Sequence, residues 1–600
     1  MVETLQRYIE KNRGYIILFF IAINLLVSVK SRGGIILFSN LFYGSGIILI
    51  GLLSLIEFKK GFSSSLKNWS LLTFLGLFLF SFPFSDNKGY GVGELALFSS
   101  SIALYLYVAN RKISEKAGEI IKTFLLITAV LTVLFGIYVY ISYPYERLAS
   151  FFYNFEDKFI GYPNALADFL LIIFPLSFYR HGKYKILLQT IIISGIILTF
   201  SRGAYLSLIL ELILIAYFYR RQLLRTKTLS TIALVCVFSL GLVSGVNTLR
   251  ESRHDLTSIE EKISFAADEK AASVNERWEF FKGAFKIIKD HPLSGTGSDS
   301  FQFVYPSYQE IPFSSSNHPH NLFLKVAVEN GFLSGIFLGI FFLTLLWQGI
   351  RSKKTAILSI GIIALLSHNL LDYNLNFIPN ILLLFLFAGL IAQENIKKHQ
   401  KNYFIPVIVI CLTIFISALS LHEGYYNYIF QQGRTALNEE NYQIALEKLE
   451  TAKKLKFPRR LYLSLGEAAQ GLEKTELAEK YFKKAAKINT HDALAYNLAG
   501  EYQKALEKDS KNYLKFHYDY LAAKANFNKE EKTQYENLLK NFLPVLANNQ
   551  HNIILTDNPE HAIKIAQLLG FRDLELKLTK LKAREEEKFR EKFNFDFSVL

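Results

Sequence analysis

The chain is 600 residues long and 51% hydrophobic, with a positive mean hydropathy, a balance that excludes an ordinary soluble enzyme. Its two cysteines, Cys236 and Cys411, both fall inside apolar runs, which leaves neither a disulfide framework nor a Cys-based metal site. The formal charge of +15 would suit a nucleic-acid binder, but the placement of the basic residues points to membrane topology and to no nucleic acid.

Apolar runs near the roughly 20 residues needed for a bilayer span recur along the first two-thirds. We read about thirteen: Tyr15–Val29, Ile35–Ile56, Leu71–Phe84, Gly91–Asn110, Thr123–Ser142, Ala165–Tyr179, Ile186–Phe200, Gly203–Tyr219, Leu229–Val246, Phe332–Ile350, Ala356–Leu371, Phe377–Ala392 and Phe404–Leu421. The first reads as a signal anchor, because no small-residue cleavage site follows it and another run comes at once. Lys and Arg gather in alternate loops: Arg7, Lys11 and Arg13; Lys59, Lys60 and Lys67; Arg111, Lys112 and Lys116; Arg180, Lys183 and Lys185; Arg220, Arg221, Arg225 and Lys227; Arg351, Lys353 and Lys354; Lys397, Lys398 and Lys401. This positive-inside pattern places the N-terminus in the cytoplasm. An odd number of spans then puts everything after Leu421 outside, together with the long segment from Asn247 to Gly331.

Two arginines sit oddly on the outer side. In "TFSRGAY", Arg202 lies between two apolar runs with only Ser201 and Gly203 as company, where a topological anchor is not expected; edge arginines usually face a cavity or ligand. In "VNERWEFFKGAFKIIKD", 100° steps put Trp278, Phe280, Phe281, Ala284, Phe285, Ile287 and Ile288 on one arc. Arg277 falls near the centre of that arc, so it either snorkels to headgroups or points inward at an anionic ligand. The glycine-rich "GTGSDS" (Gly295 to Ser300) has no strand–helix unit around it and reads as a turn, not a phosphate loop.

The stretch "SSSNHPHNLFLKVAVENG" crowds His318, His320 and Asn321 before an apolar run. Pro319 suits a first helical position, which makes His318 the cap and puts His320 and Asn321 in the first turn, with Gly331 as the stop. A histidine there suits a base near neutral pH. No carboxylate or Cys cluster accompanies the pair, so neither a metal nor a cofactor is expected. Asp372, in "HNLLDYN", reads either as a residue that orients a substrate hydroxyl or as a polar helix end.

After Leu421 the chain becomes polar and helical. "NYIFQQGRTALNEENYQIALEKLETAKKLKF" aligns with "RLYLSLGEAAQGLEKTELAEKYFKKAAKIN", matching Gly433 to Gly466, Ala445 to Ala478, Leu449 to Phe482 and Ala452 to Ala485. The period approaches the tetratricopeptide length of about 34. A third copy begins near Ala493 and degrades, and "KLKAREEEKFREKF", near the end, reads as a solvated helical face. Stacked repeats form a concave surface for a protein partner. The expected organisation is therefore a membrane domain over 1–421, whose large outer loop spans 247–331, and a tetratricopeptide-like α-solenoid over 422–600.

"GYPNALADFLL", "SRGA", "ERWEFFKGAFKIIKDHPLSGTGSDSF" and "HPHNLFLKVAVENGFLSG", in this order and on this topology, together resemble the O-antigen ligase/polymerase family, the Wzy_C superfamily. The likeness is strongest from about Arg147 to Asp372. It implies an all-α, polytopic, GT-C-like glycosyltransferase of the bacterial cytoplasmic membrane. Such an enzyme passes a glycan from undecaprenyl pyrophosphate to a lipid, glycan or protein acceptor on the outer face. It further implies catalytic roles for Arg202, Arg277 and His320, and substrate contacts from Asn321, His318, Arg147, Asn164 and Asp372. The chemistry agrees with the residue types: arginine forks suit a pyrophosphate leaving group, a histidine can take the acceptor proton, and no metal is obligatory. The tail departs from plain lipopolysaccharide ligases and is similar to tailed members that decorate surface proteins. Three rivals stand beside this reading, one of them a scaffold without catalysis, against which intact Arg202, Arg277 and His320 speak. A repeat-unit polymerase would use a second lipid-linked glycan as acceptor. A transporter or flippase of a lipid-linked glycan would show inverted repeats and mid-membrane charges, and we see no such symmetry.

Overall fold

A computed structural model describes residues 2–30, 37–85, 91–143, 145–152, 161–179, 182–223, 226–253, 268–310, 316–393, 401–455, 461–509, 513–524, 526–548, 553–554 and 556–593. Arg180, Arg225, Lys397 and Lys398 of the basic loops, and the serines at 314 and 315, lie outside these residues. The described chain is helical apart from one two-residue antiparallel ladder that pairs Phe62 with Asn402 and Ser63 with Lys401.

In its described residues each apolar run falls mainly on helical segments; the run from Ile35 to Ile56, whose first two residues lie outside the described ones, is divided between the helices Leu37–Gly46 and Ile48–Ile56. Among the described residues, eight helices suffice by length and composition to cross a membrane: Thr4–Ser28, Ser39–Ile56, Val92–Asn110, Glu115–Ser142, Arg202–Arg220, Ser230–Glu251, Phe332–Ile350 and Phe404–Asn438. Four shorter apolar helices, Pro163–Tyr179, Tyr184–Leu198, Ala356–His368 and Ile378–Ala392, accompany them. The run at Leu71–Phe84 lies on the helix Leu66–Ser81 and the 3-10 turn that follows it.

The chain divides into two compact units, the first made of Met1–Phe82, Val92–Ser264 and His320–Tyr425. Its centre is the pair Val92–Asn110 and Ile378–Ala392, both buried on nearly every face. A helix apolar all round has no polar side to show to water, so it is surrounded by other helices. The two approach closely at Gly389, where a Cβ would lie 2.8 Å from Val108 Cβ. Small residues of this kind let helix backbones meet in an apolar setting. At the end of the first unit that carries the basic loops, wholly buried Glu57 draws Arg13 into an ion pair, meets Arg111 Nε at 3.2 Å and accepts from the Tyr107 hydroxyl at 2.8 Å. Three chain segments are thereby tied together, so Arg13 and Arg111 serve packing.

The second unit comprises Pro83–Gly91, Phe265–Pro319 and Tyr426–Leu600. Its helix Asp268–Asp290 buries Phe280, Ala284 and Ile287, one line of a 3.6-residue repeat, and its Phe280 ring meets the Tyr305 ring edge-on at 5.4 Å. Only part of the expected apolar arc is packed, for Trp278 and Phe285 remain exposed and Arg277 is half-buried. "GTGSDS" forms a turn with positive φ at Gly295, Gly297 and Asp299, and it leads into a helix of four residues.

In the tail the aligned repeat positions make equivalent contacts. A Cβ on Gly433 would meet Leu449 Cγ at 2.7 Å, and one on Gly466 would meet Phe482 Cε1 at 2.2 Å. Ala445, Ala452, Ala478 and Ala485 are buried along the same helix faces. The third copy loses this form where Gly500, at φ 77°, follows a helix of only six residues, Ala493–Leu498.

Candidate active site

The site is built where the loop before helix Leu322–Asn330 meets the segment after helix Ala356–His368. His320 sits at φ +50°, a left-handed conformation uncommon for residues with a side chain and concentrated at functional sites. That turn corrects the expected helix start. Asn321, and not His318, is the cap: it is extended, and its Oδ1 accepts the Leu324 N–H at 3.0 Å. Asparagine is among the best N-caps, and here it outweighs the preference of Pro319 for a first helical position. The start is strapped down by Leu322 N–H donating to Asn369 O at 2.9 Å and Asn321 Nδ2 donating to Leu370 O at 2.9 Å.

His320 Nδ1 lies 2.7 Å from Asp372 Oδ1. An ionised carboxylate only accepts, so it draws the ring proton to Nδ1, and Nε2 of the neutral imidazole keeps its lone pair. The ring is 24% exposed while Asp372 is almost fully buried. Asp372 is itself held: its Oδ1 accepts from Tyr373 N–H at 2.8 Å, and its Oδ2 accepts from Asn164 Nδ2. Asn164 Oδ1 in turn accepts from Arg147 at 2.7 Å, and Arg147 Nε donates to Thr199 O at 2.7 Å. Wholly buried Arg250 steadies the loop that carries Arg147, donating to Tyr145 O at 3.1 Å with its guanidinium 4.6 Å from the Tyr140 ring centre.

A second, deeper chain runs beside the first. Asp168 Oδ1 faces His368 Nδ1 at 2.6 Å and its Oδ2 accepts from Asn369 Nδ2 at 2.6 Å. His368 Nε2 lies 3.2 Å from Ser201 Oγ, and Ser201 is followed by Arg202, the exposed first residue of helix Arg202–Leu223.

Of the residues expected at the site, His320, Asp372, Asn164 and Arg147 form one hydrogen-bonded chain, and Asn321 follows His320 as the helix cap. Arg202 joins it through the turn at Thr199 to Ser201. Arg277 and His318 belong to the other compact unit. Among the described residues, no three His, Cys, Asp or Glu side chains gather as a metal site. Asp168, Ser201, His368, Asn369 and Arg250 were not anticipated. Two signals were present in the sequence: "GYPNALAD" sets Asn164 and Asp168 four apart, on one helix face, and "HNLLD" repeats the His-Asn pair of "HPHN".

Residues 187–339 match the family model for O-antigen ligase. That stretch contains Arg202, Arg277, His318, His320 and Asn321. A ComP-specific O-oligosaccharyltransferase of Acinetobacter baylyi (strain ATCC 33305 / BD413 / ADP1) is 24% identical over 261 residues, 41% of this chain and 45% of that relative. The match therefore spans less than half of that protein's length. An uncharacterized protein of Haemophilus influenzae (strain ATCC 51907 / DSM 11121 / KW20 / Rd) is 24% identical over 376 residues, 58% of this chain and 90% of that relative. No solved structure matches. The family match thus falls on the stretch that holds Arg202 and His320, in a chain with several helices long and apolar enough to cross a membrane.

Proposed function

We propose that the chain is an O-antigen ligase-type glycosyltransferase that moves a glycan from undecaprenyl pyrophosphate to an acceptor hydroxyl at the outer face of the bacterial cytoplasmic membrane. The observation that carries this reading is the bond between His320 and Asp372 on a strained turn. In the reaction His320 Nε2 takes the proton of the acceptor hydroxyl. The hydroxyl oxygen bonds to the anomeric carbon, and the bond from that carbon to the pyrophosphate breaks. Arg202 and Arg277 meet the charge that develops on the leaving group. Asp372 holds the imidazole in its working tautomer, as a carboxylate does for the histidine of a Ser-His-Asp arrangement. Arg147 and Asn164 are already bonded to Thr199 and Asp372, so in this reading they hold the dyad, and Asn321 holds the helix start. His318, beside the dyad in sequence, completes the set as a substrate contact. The reaction needs no metal, because pyrophosphate is a good leaving group.

The likeness to the ComP-specific O-oligosaccharyltransferase of Acinetobacter favours an oxygen acceptor, and in this reading that hydroxyl stands on a surface protein. The tail, read as a tetratricopeptide-like domain, would recruit that acceptor or another protein partner. Purified protein should be offered the lipid-linked glycan with a protein acceptor, with a lipopolysaccharide core, and alone. A protein or core conjugate supports the ligase reading. Lengthened lipid-linked glycan identifies the polymerase instead. Movement of intact donor across vesicles without bond breakage identifies a transporter.

The topology has its own test. Lys483 is exposed on the tail and suits a reporter cysteine. In a chain with Cys236→Ser and Cys411→Ser, Lys483→Cys should react with a membrane-impermeant thiol reagent once the outer envelope alone is permeabilised. Labelling only after rupture of the inner membrane would place the tail in the cytoplasm.

Arg277 also separates two readings. If it binds pyrophosphate through its fork, Arg277→Lys should lose about tenfold or more in transfer although the charge is kept. Near-normal turnover of Arg277→Ala at matched protein levels would show that the side chain merely snorkels.

A further inference from the structure

The deeper hydrogen-bonded chain has no place in the reaction just described, yet it is costly to build. Asp168 is fully buried, His368 is 1% exposed and Ser201 is 3% exposed, all among apolar helices. Polar groups in such a setting are expensive unless every one is satisfied, and an apolar core would serve stability as well. Here the partners are complete. Both Asp168 oxygens are used, one by His368 and one by Asn369. The carboxylate fixes the His368 proton at Nδ1, so the Ser201 hydroxyl donates to Nε2. The Ser201 oxygen is left to accept from Ala204 N–H at 3.4 Å, as a cap on the Arg202–Leu223 helix. The close fit extends to Gly203, where a Cβ would lie 2.8 Å from His368 Cδ2. Just before it, Phe200 is held at φ +48°.

The other arm leads to the base. Asn369 gives its amide hydrogen to Asp168, its Oδ1 accepts from Asn374 N–H at 2.9 Å, and its backbone oxygen receives Leu322 N–H at 2.9 Å. Leu322 opens the helix that directly follows His320 and Asn321. One carboxylate therefore stands behind two helix starts.

We propose that Asp168 is a positioning residue: through His368 and Ser201 it fixes the helix start that presents Arg202, and through Asn369 it fixes the start that presents His320, keeping cation and base in one register. The inference rests on the ligase-type reading for its consequence, but not for its geometry. None of the three buried groups touches substrate. They act through Arg202 and His320, where a misplacement of about 1 Å can cost about 100-fold in rate.

Two kinds of measurement on the full-length chain in lipid test it. Hydrogen exchange reads the geometry without any activity. Asp168→Asn, which keeps the shape but cannot accept from both partners, should speed exchange over residues 201–206 and over 320–325. Unchanged protection in either stretch, at an unchanged melting temperature, overturns the proposal whatever the enzyme does. The kinetic arm uses two side chains of equal size. Ser201→Thr keeps the hydroxyl and should stay within about threefold of wild-type kcat; Ser201→Val should lose about 10–100-fold with equal thermal stability. In an Arg202→Ala background Ser201→Val should add less than about threefold, because the relay has then lost its target. Equal losses for threonine and valine, or a full multiplied loss in that background, also overturn it. A wild-type chain that transfers glycan to no acceptor refutes the function, and the exchange result still decides the relay.

Discussion

Replacing His320 with alanine should reduce glycan transfer by about 10²–10⁴-fold while the lipid-linked donor still binds. The size follows from what is lost, a base that removes the acceptor proton as the new bond forms. On the proposed mechanism donor binding should survive, because Arg202 and Arg277 remain. His318→Ala should be much milder. Asn321 caps the helix, so His318 carries no capping load, and its ring is not the one bonded to Asp372. Transfer and donor binding measured in both variants at matched expression separate the two histidines. A dead His318→Ala beside an active His320→Ala would show that the base had been assigned to the wrong ring. If both variants were active, the base would lie elsewhere, with Asp372 the next group to examine.

Asp372→Asn should cost nearly as much, about 10²–10⁴-fold in kcat, with little change in donor affinity. The substitution keeps the volume of a nearly buried side chain and can keep the Asn164 contact through the amide oxygen. It then turns an NH₂ group toward His320 Nδ1 and gives up the bond that Oδ1 accepts from Tyr373 N–H. The ring answers by placing its own proton on Nε2, the atom that has to accept one. The loss is therefore one of tautomer, and the fold should survive. A melting temperature close to wild type together with a collapsed kcat is the expected signature. A variant that keeps most of its rate would reduce Asp372 to a polar end of the helix, the alternative that its position after Ala356–His368 first allowed.

How much of this was legible in the sequence depends on the range of the forces involved. Apolar run length acts locally, so helices such as Val92–Asn110 and Phe332–Ile350 fall where hydropathy places them. The tail repeat was readable for the same reason, since Gly433 and Gly466 mark close approaches only a helix away from Leu449 and Phe482. The helix after His320 was misread by three residues, because two local rules competed: proline at the first turn and asparagine at the cap. Tertiary bonds from Asn369 and Leu370 favour the second. The dyad itself joins residues 52 positions apart, and the Asp168–His368 pair joins residues 200 apart. No spacing rule reaches that far, so the sequence offers Asp372 as a group that orients a substrate hydroxyl or as a polar helix end, and not as the partner of His320. The Asp268–Asp290 helix shows a further limit: periodicity found its apolar arc but not which half would be packed, for Phe280 is buried and Phe285 is not.

The central claim is that one chain both breaks the glycan–pyrophosphate bond and makes the glycan–acceptor bond. It is tested most directly by incubating the purified full-length protein in lipid with undecaprenyl-pyrophosphate-linked labelled glycan and a hydroxyl acceptor, and counting both products. The account predicts labelled conjugate and free undecaprenyl pyrophosphate in equal amounts, both dependent on His320. Conjugate formed without release of undecaprenyl pyrophosphate, or release and conjugation undiminished in His320→Ala, would contradict it.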